Sequence, residues 1–205
     1  MYLEKTLSRL KKINEIPELH LLMNEPITIN GIRYWSLNKI CTMLKCEIPQ
    51  KLCEAQELHI IHGDLCFTNI LVDDNYSFIK LIDPRGKFGS YDIYGDIRYD
   101  LAKLFHSVDG KYDLIIKNKM NTQYDEKNNS IILTFKDNKI ECNLYALLQE
   151  VFSDLIKDQI KNIEFIESLL FLSMIPLHNE NKNHQIAMIA TGIQILNRIY
   201  DIREQ

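Results

Sequence analysis

The chain has 205 residues, a formal net charge of −4, 46% apolar and 25% charged residues. Such a composition belongs to a single globular domain long enough to bury a sizeable core. It argues against a nucleic-acid surface, which carries a basic excess, and no run reaches the ~18 apolar residues of a membrane span. The longest apolar candidate, Leu169 to Pro176, is interrupted by Ser173. Met1 to Lys5 contains no apolar signal-peptide core, so a cytoplasmic site is the expectation. The cysteines, Cys41, Cys46, Cys53, Cys66 and Cys142, are odd in number and form no C-x-x-C, which reads as reduced thiols.

Residues 2–13 read as a helix, with Leu3, Leu7 and Leu10 at steps of three and four, and Pro17 follows its end. Ile27, Ile29 and Ile32 alternate around the turn dipeptide Asn30-Gly31, the pattern of a small hairpin. Ser36 is placed to cap a helix carrying Leu37, Ile40, Cys41 and Leu44, which Pro49 is expected to end. A short helix is expected over 51–58.

Residues 60–86 carry the chemistry. His62-Gly63-Asp64 and Asn69 lie between apolar flanks, and Ile70 to Val72 and Ile79 to Ile82 read as two strands around a polar turn from Asp73 to Ser77. Asp83-Pro84-Arg85-Gly86 follows. Pairing the two strands brings Asn69 and Asp83 to the same end of the ribbon. Alone, each of Asp64, Asn69 and Asp83 reads as a turn or capping residue. Together, a carboxylate, an amide oxygen and a second carboxylate are what phosphoryl transfer requires: one group to orient the attacking hydroxyl, two hard oxygens for magnesium. Protein kinases fill these roles with H-R-D-L-x-x-x-N and D-F-G.

The string from His62 to Asn69, the hairpin, and Ile82-Asp83-Pro84-Arg85-Gly86 in register resemble the aminoglycoside phosphotransferase and choline kinase branch of the protein-kinase-like superfamily. The resemblance covers about residues 55–113 and is closest to bacterial phosphotransferases of capsule or surface-polysaccharide biosynthesis. It implies a Mg2+-dependent transfer from ATP or GTP to a hydroxyl of a sugar or other surface-glycan precursor. Asp64 would be the catalytic base and His62 would hold the loop by backbone bonds. Asn69 and Asp83 would ligate magnesium on the nucleotide. Arg85 would contact phosphate or an acidic substrate, or else act as a salt-bridge partner. Asp100, within Tyr99-Asp100-Leu101-Ala102, would brace the catalytic loop.

The family's N-terminal lobe has a Gly-rich loop and a strand lysine. The residues before His62 contain only Gly31 and no such strand lysine. The expectation is therefore a kinase-like C-terminal lobe with the N-terminal lobe absent. It could be a piece of a longer protein, a shortened protein acting through partners, or one completed by self-association. The competing class is a non-catalytic interaction module. A two-metal phosphohydrolase would need a second carboxylate cluster, which the sequence does not supply.

Asp96 can cap a helix containing Tyr99, Ala102, Leu104 and Phe105. His106 and Ser107, adjacent on that helix, diverge by about 100° and form no dyad; a partly buried helix-end histidine is expected. Residues 109–130 read as a polar, mobile loop or a substrate-facing insertion. Ile131 to Cys142 reads as a hairpin turning at Asp137-Asn138, and Asn143 as the cap of a long helix with a core-facing stripe Leu144, Leu147, Leu148, Val151, Phe152, Leu155 and Ile156. Further helices are expected over about 163–175 and 184–202. His178 and His184 flank a polar loop with no third ligand at an obvious spacing, so no zinc site is read there. The fold expected is α+β and mainly helical, with short antiparallel hairpins at the catalytic end. It is one domain over 1–205, with a catalytic core near 55–113 and a helical part near 143–205.

Overall fold

The computed structural model describes residues 2–52, 57–136 and 144–204. The chain opens with helix α1 (Tyr2–Lys11), which buries Thr6 and Leu10 and tightens into a 3-10 turn that buries Ile13. After Pro17 the short α2 (His20–Asn24) leads to the hairpin β1 (Ile27–Ile29) and β2 (Ile32–Tyr34). Asn30 and Gly31 both take positive φ (50° and 83°), the turn whose twist matches a two-residue hairpin.

Helix α3 (Leu37–Leu52) starts at Ser36, whose hydroxyl accepts from Lys39 N–H at 3.4 Å. It does not end at Pro49. The proline costs one backbone bond, but Pro49 and Lys45 are both on the solvent side, where water can reach the freed carbonyl while Ile48 and Leu52 keep the helix anchored in the core. The short helix expected over 51–58 falls mostly on residues 53–56, outside the described chain; Glu57 and Leu58 are not helical.

Strand β3 (His59–Ile60) precedes the 3-10 turn Phe67–Asn69, and β4 (Ile70–Val72) pairs antiparallel with β5 (Ile79–Leu81), Ile70 opposite Leu81. The connecting turn is held by Asp73, whose carboxylate accepts from Ser77 and Phe78 N–H. Strand β6 (Tyr94–Gly95) pairs with β3. Helix α4 (Ile97–Val108) is capped by Asp96, which accepts from Arg98 N–H at 3.0 Å.

Residues 109–130 are not a loop. They form α5 (Tyr112–Ile116) and β7 (Met120–Asp125), which pairs with β8 (Ser130–Phe135). The hairpin thus lies one strand earlier than the alternation of Ile131, Leu133 and Phe135 suggested. β7 is polar on its exposed face, through Asn121, Gln123 and Asp125, and the lysines and asparagines on either side of it hid the strand. The return strand expected through Ile140 and Cys142, and the Asn143 cap, lie outside the described residues. β8 also pairs in parallel with β1, giving a mixed sheet in the order β2-β1-β8-β7. Buried Asn129 stitches it to α2: its amide Nδ2 donates to the carbonyls of Leu21, Glu25 and Pro26 at 3.3, 3.2 and 3.0 Å.

The long helix expected from residue 144 is interrupted. α6 (Leu144–Val151) and α7 (Ser153–Ile156) are separate, and Leu147, Val151 and Leu155 stand exposed; only Ile156 of the stripe is buried. Leu148 and Phe152 pack half-buried against the core beside α4, so the described residues cover only part of the stripe. α8 (Ile160–Met174) and α9 (Lys182–Tyr200) form the true core. α8 packs against α1, α4 and α9 at once. Its buried Ile163, Phe165, Ile166, Leu169, Leu170 and Phe171 leave it apolar almost all round, as a central helix must be. The architecture is α+β, mainly helical. No helix among the described residues is long and apolar enough to cross a membrane.

Candidate active site

The loop from His62 to Asn69 is held from three sides. Asp100, on α4, accepts His62 N–H at 2.7 Å and Gly63 N–H at 2.8 Å, so both oxygens of one carboxylate fix two successive amides. Burial pushes the Asp100 carboxyl up, and the two amide bonds oppose that shift. Ser107, also on α4, accepts Phe67 N–H at 3.2 Å. His62 Nε2 donates to the Ile82 carbonyl at 2.8 Å, and Arg85 N–H donates to the His62 carbonyl at 2.8 Å. The loop and the segment carrying Asp83 and Arg85 are thereby locked together. Gly63 sits at φ +77°, and a Cβ there would lie 2.9 Å from Arg85 Cβ.

Asp64, Asn69 and Arg85 line one cleft of about 300 Å³. Asn69 is buried. Its Nδ2 donates to the Asp64 carbonyl at 2.8 Å, which leaves Oδ1 as the atom a hard cation would use. Asp83 is exposed, at φ 54°, one residue beyond Ile82, whose N–H donates to the Asn69 carbonyl at 3.0 Å. The ribbon geometry thus sets Asn69 and Asp83 at the same end, but Asp83 is not part of the cleft lining. Asn69 and Asp83 supply hard oxygens, a donor set that suits magnesium.

The cleft holds a cluster of cations that the sequence reading did not include. Lys103, on α4, puts Nζ 2.7 Å from Asp64 Oδ1, and only 6% of its side chain is exposed. Lys5 and Arg9, on α1, form part of the same wall. Tyr99 Oη joins two of the cations, accepting from Arg85 Nη1 at 3.0 Å and Lys5 Nζ at 3.3 Å. Burial pushes the Asp64 carboxyl up, but the charge and hydrogen bond of Lys103 outweigh it, with Arg85 adding, and hold it below the usual range. Burial likewise raises the Tyr99 phenol, and Lys5, Lys103 and Arg85 together bring it below its ordinary value. Burial lowers the Lys5 ammonium. Four cations around one carboxylate make the cleft attractive to an anion.

A signal for these residues existed. Lys103 follows Asp100 by three and Tyr99 by four, so it neighbours each of them on the helix surface. Lys5 and Arg9 are four apart on another.

The remaining sequence candidates fall as follows. Cys66 is buried, with Sγ 3.1 Å from Thr68 Oγ1. His106 is not partly but wholly buried, its ring centroid 4.1 Å from that of Phe171 and 4.3 Å from that of Tyr112. Burial pushes its imidazole far down, so it is neutral. α4 packs against α8, which the local pattern could not reveal.

Fold and site together define an α+β protein with a cation-lined cleft beside a braced His-Gly-Asp loop. Comparison of the chain with protein-family models, curated proteins and solved structures finds no match.

Proposed function

We propose that the protein is a kinase-like phosphotransferase that uses ATP or GTP with Mg2+ to phosphorylate a hydroxyl of a small molecule, a sugar or other surface-glycan precursor. The observation that carries this reading is the cleft in which the Asp64 carboxylate and the Asn69 amide stand among Lys5, Arg9, Arg85 and Lys103. Asp64, kept ionised by Lys103, accepts a hydrogen bond from the acceptor hydroxyl and orients it. The hydroxyl oxygen attacks the terminal phosphorus, the bond to the bridging oxygen breaks, and the hydroxyl proton passes to Asp64. The lysines and arginines offset charge on the moving phosphoryl group. Asn69 and Asp83 would hold magnesium, which supplies charge neutralisation on the nucleotide.

A second reading has its own observation. Phe78, Ile79 and Leu81 on the β4–β5 ribbon, and Ile60 and Tyr94 on the β3–β6 pair, are exposed, Ile79 and Ile60 at 68%. Soluble proteins seldom leave so many large apolar side chains together uncovered. This favours a lobe that docks on another domain or partner, with or without catalysis of its own.

One experiment separates the readings. Thermal melting with ATP or GTP and Mg2+ should show a magnesium-dependent rise in Tm that Asp83→Ala removes. A transfer assay over sugar acceptors should then show phosphorylation that Asp64→Asn abolishes. No nucleotide effect at millimolar concentration would leave only the docking module.

A further inference from the structure

Beyond that cleft chemistry, the structure carries a second constellation. His178 ends the 3-10 turn after α8, Glu180 follows in the connecting loop, and His184 lies in the first turn of α9. One ligand atom from each of the three falls within 4.8 Å of the others. The six-residue spacing of the histidines shows no metal motif in sequence, because the third ligand lies between them and is an ordinary surface glutamate.

The His178–Glu180 separation matches metal-ligand geometry. His178 Nδ1 and Glu180 Oε1 are 3.4 Å apart. Two ligands on a tetrahedral zinc with bonds of ~2.0–2.1 Å stand about 3.4 Å apart. Glu180 is largely exposed and free to adjust, whereas the histidines are held by the fold.

An independent observation concerns His184. It is 7% exposed, and Nδ1 is buried with no hydrogen-bond partner among the described residues. Its Nε2 lies 3.0 Å from Asn118 Oδ1, which also accepts from Asn181 Nδ2 at 3.3 Å. An amide oxygen has no proton to give, so Nε2 carries the hydrogen and Nδ1 keeps a lone pair. A buried imidazole that donates through one nitrogen to a fixed carbonyl and leaves the other bare has the outer-shell arrangement of a metal-ligating histidine. The loop that presents the set is itself fixed: Asn181 Oδ1 accepts from Asn183 and His184 N–H at 3.0 and 3.3 Å.

We propose that His178, Glu180 and His184 form a site for a transition-metal dication of the zinc class. Two imidazoles and one carboxylate select zinc, cobalt or nickel over magnesium, which prefers all-oxygen sets. Three protein ligands leave a fourth position to water. The metal ties the α8–α9 turn to the start of α9, and through Asn118 to the segment before β7. Because His178 and Leu177 also line the cleft, occupancy stiffens that wall.

The test is titration of the full chain with Zn2+ alone, after removal of metal with a chelator, followed by calorimetry and by thermal melting. One equivalent should bind and raise Tm, and Mg2+ should not compete. Glu180→Gln, a change at an exposed side chain, should weaken Zn2+ binding by about tenfold or more, and His184→Ala should abolish it. Asn118→Ala should weaken it by roughly 10–100-fold, the usual loss for an outer-shell partner. Circular dichroism of each variant reports whether it folds. Absence of stoichiometric binding, or binding untouched by Glu180→Gln and His178→Gln, would overturn the site. Asp64→Asn and Asp83→Asn should leave Zn2+ binding unchanged, which separates this site from the cleft.

Discussion

Lys103 Nζ rests 2.7 Å from Asp64 Oδ1, joining the middle of α4 to the tip of the His62–Asn69 loop. The pair sets both the charge and the position of the carboxylate at the centre of the cleft. In Lys103→Met the Asp64 carboxyl should titrate at higher pH, as read by carboxyl carbon NMR. The sign for stability follows. A carboxyl whose folded pKa is depressed adds stability above its unfolded pKa and loses it as pH falls through the folded value. Lys103→Met should therefore unfold more readily at neutral pH and show a smaller loss on acidification. An Asp64 titration unmoved by the change would show that Lys103 does not control it.

Asp100 satisfies two amides with one carboxylate. An asparagine keeps only one acceptor oxygen and turns an NH2 towards the other amide. Asp100→Asn should destabilise the fold by about 1–3 kcal/mol, the usual penalty for an unsatisfied buried donor, measured by urea unfolding. It should also loosen the loop, seen as faster hydrogen exchange at His62 and Gly63.

Two glycines near the loop give a controlled comparison. Gly63 and Gly86 both have positive φ, +77° and +65°, but only Gly63 has a neighbour where a Cβ would stand. Gly86→Ala should carry the left-handed penalty alone, about 1–2 kcal/mol. Gly63→Ala adds a contact of 2.9 Å with Arg85 Cβ, so it should be the more destabilising and should weaken anion binding in the cleft. Equal effects from the two would show that loop and Arg85 segment part freely.

Glu167 on α8 is wholly buried, and burial first, Asp109 second, push its carboxyl well above the ordinary range, with the Arg198 charge only partly opposing them. The folded chain then keeps a proton that the unfolded chain releases. Its contribution is intact below the unfolded value, and stability falls as pH rises towards the folded one. Glu167→Gln removes that fall. Comparing unfolding free energies at about pH 5 and about pH 8, the wild type should lose more than the variant.

Much of the local structure was legible because it is written in neighbouring residues. Asn30-Gly31, the Ser36 and Asp96 caps, the Asp73–Ser77 turn and the apolar periods of α8 and α9 each act within a few positions. So did the pairing of Ile70–Val72 with Ile79–Leu81, and with it the placement of Asn69 and Asp83 at one end. The errors share a cause. Pro49 is tolerated because solvent serves the carbonyl it frees. The stripe on α6 and α7 stays exposed at Leu147, Val151 and Leu155 because the core reaches only its Leu148, Phe152 and Ile156 side. β7 forms although polar, because β8 supplies a partner edge. Each outcome depends on what lies across space.

The order of residues alone brought out the candidate groups: the His-Gly-Asp loop, its asparagine and the aspartate past the hairpin. Only the tertiary structure decided their company. Lys5 and Arg9 on α1 and Lys103 on α4 come from two helices far apart in the chain. Coulomb forces act over a few ångströms, a distance the chain sets by packing rather than by sequence separation.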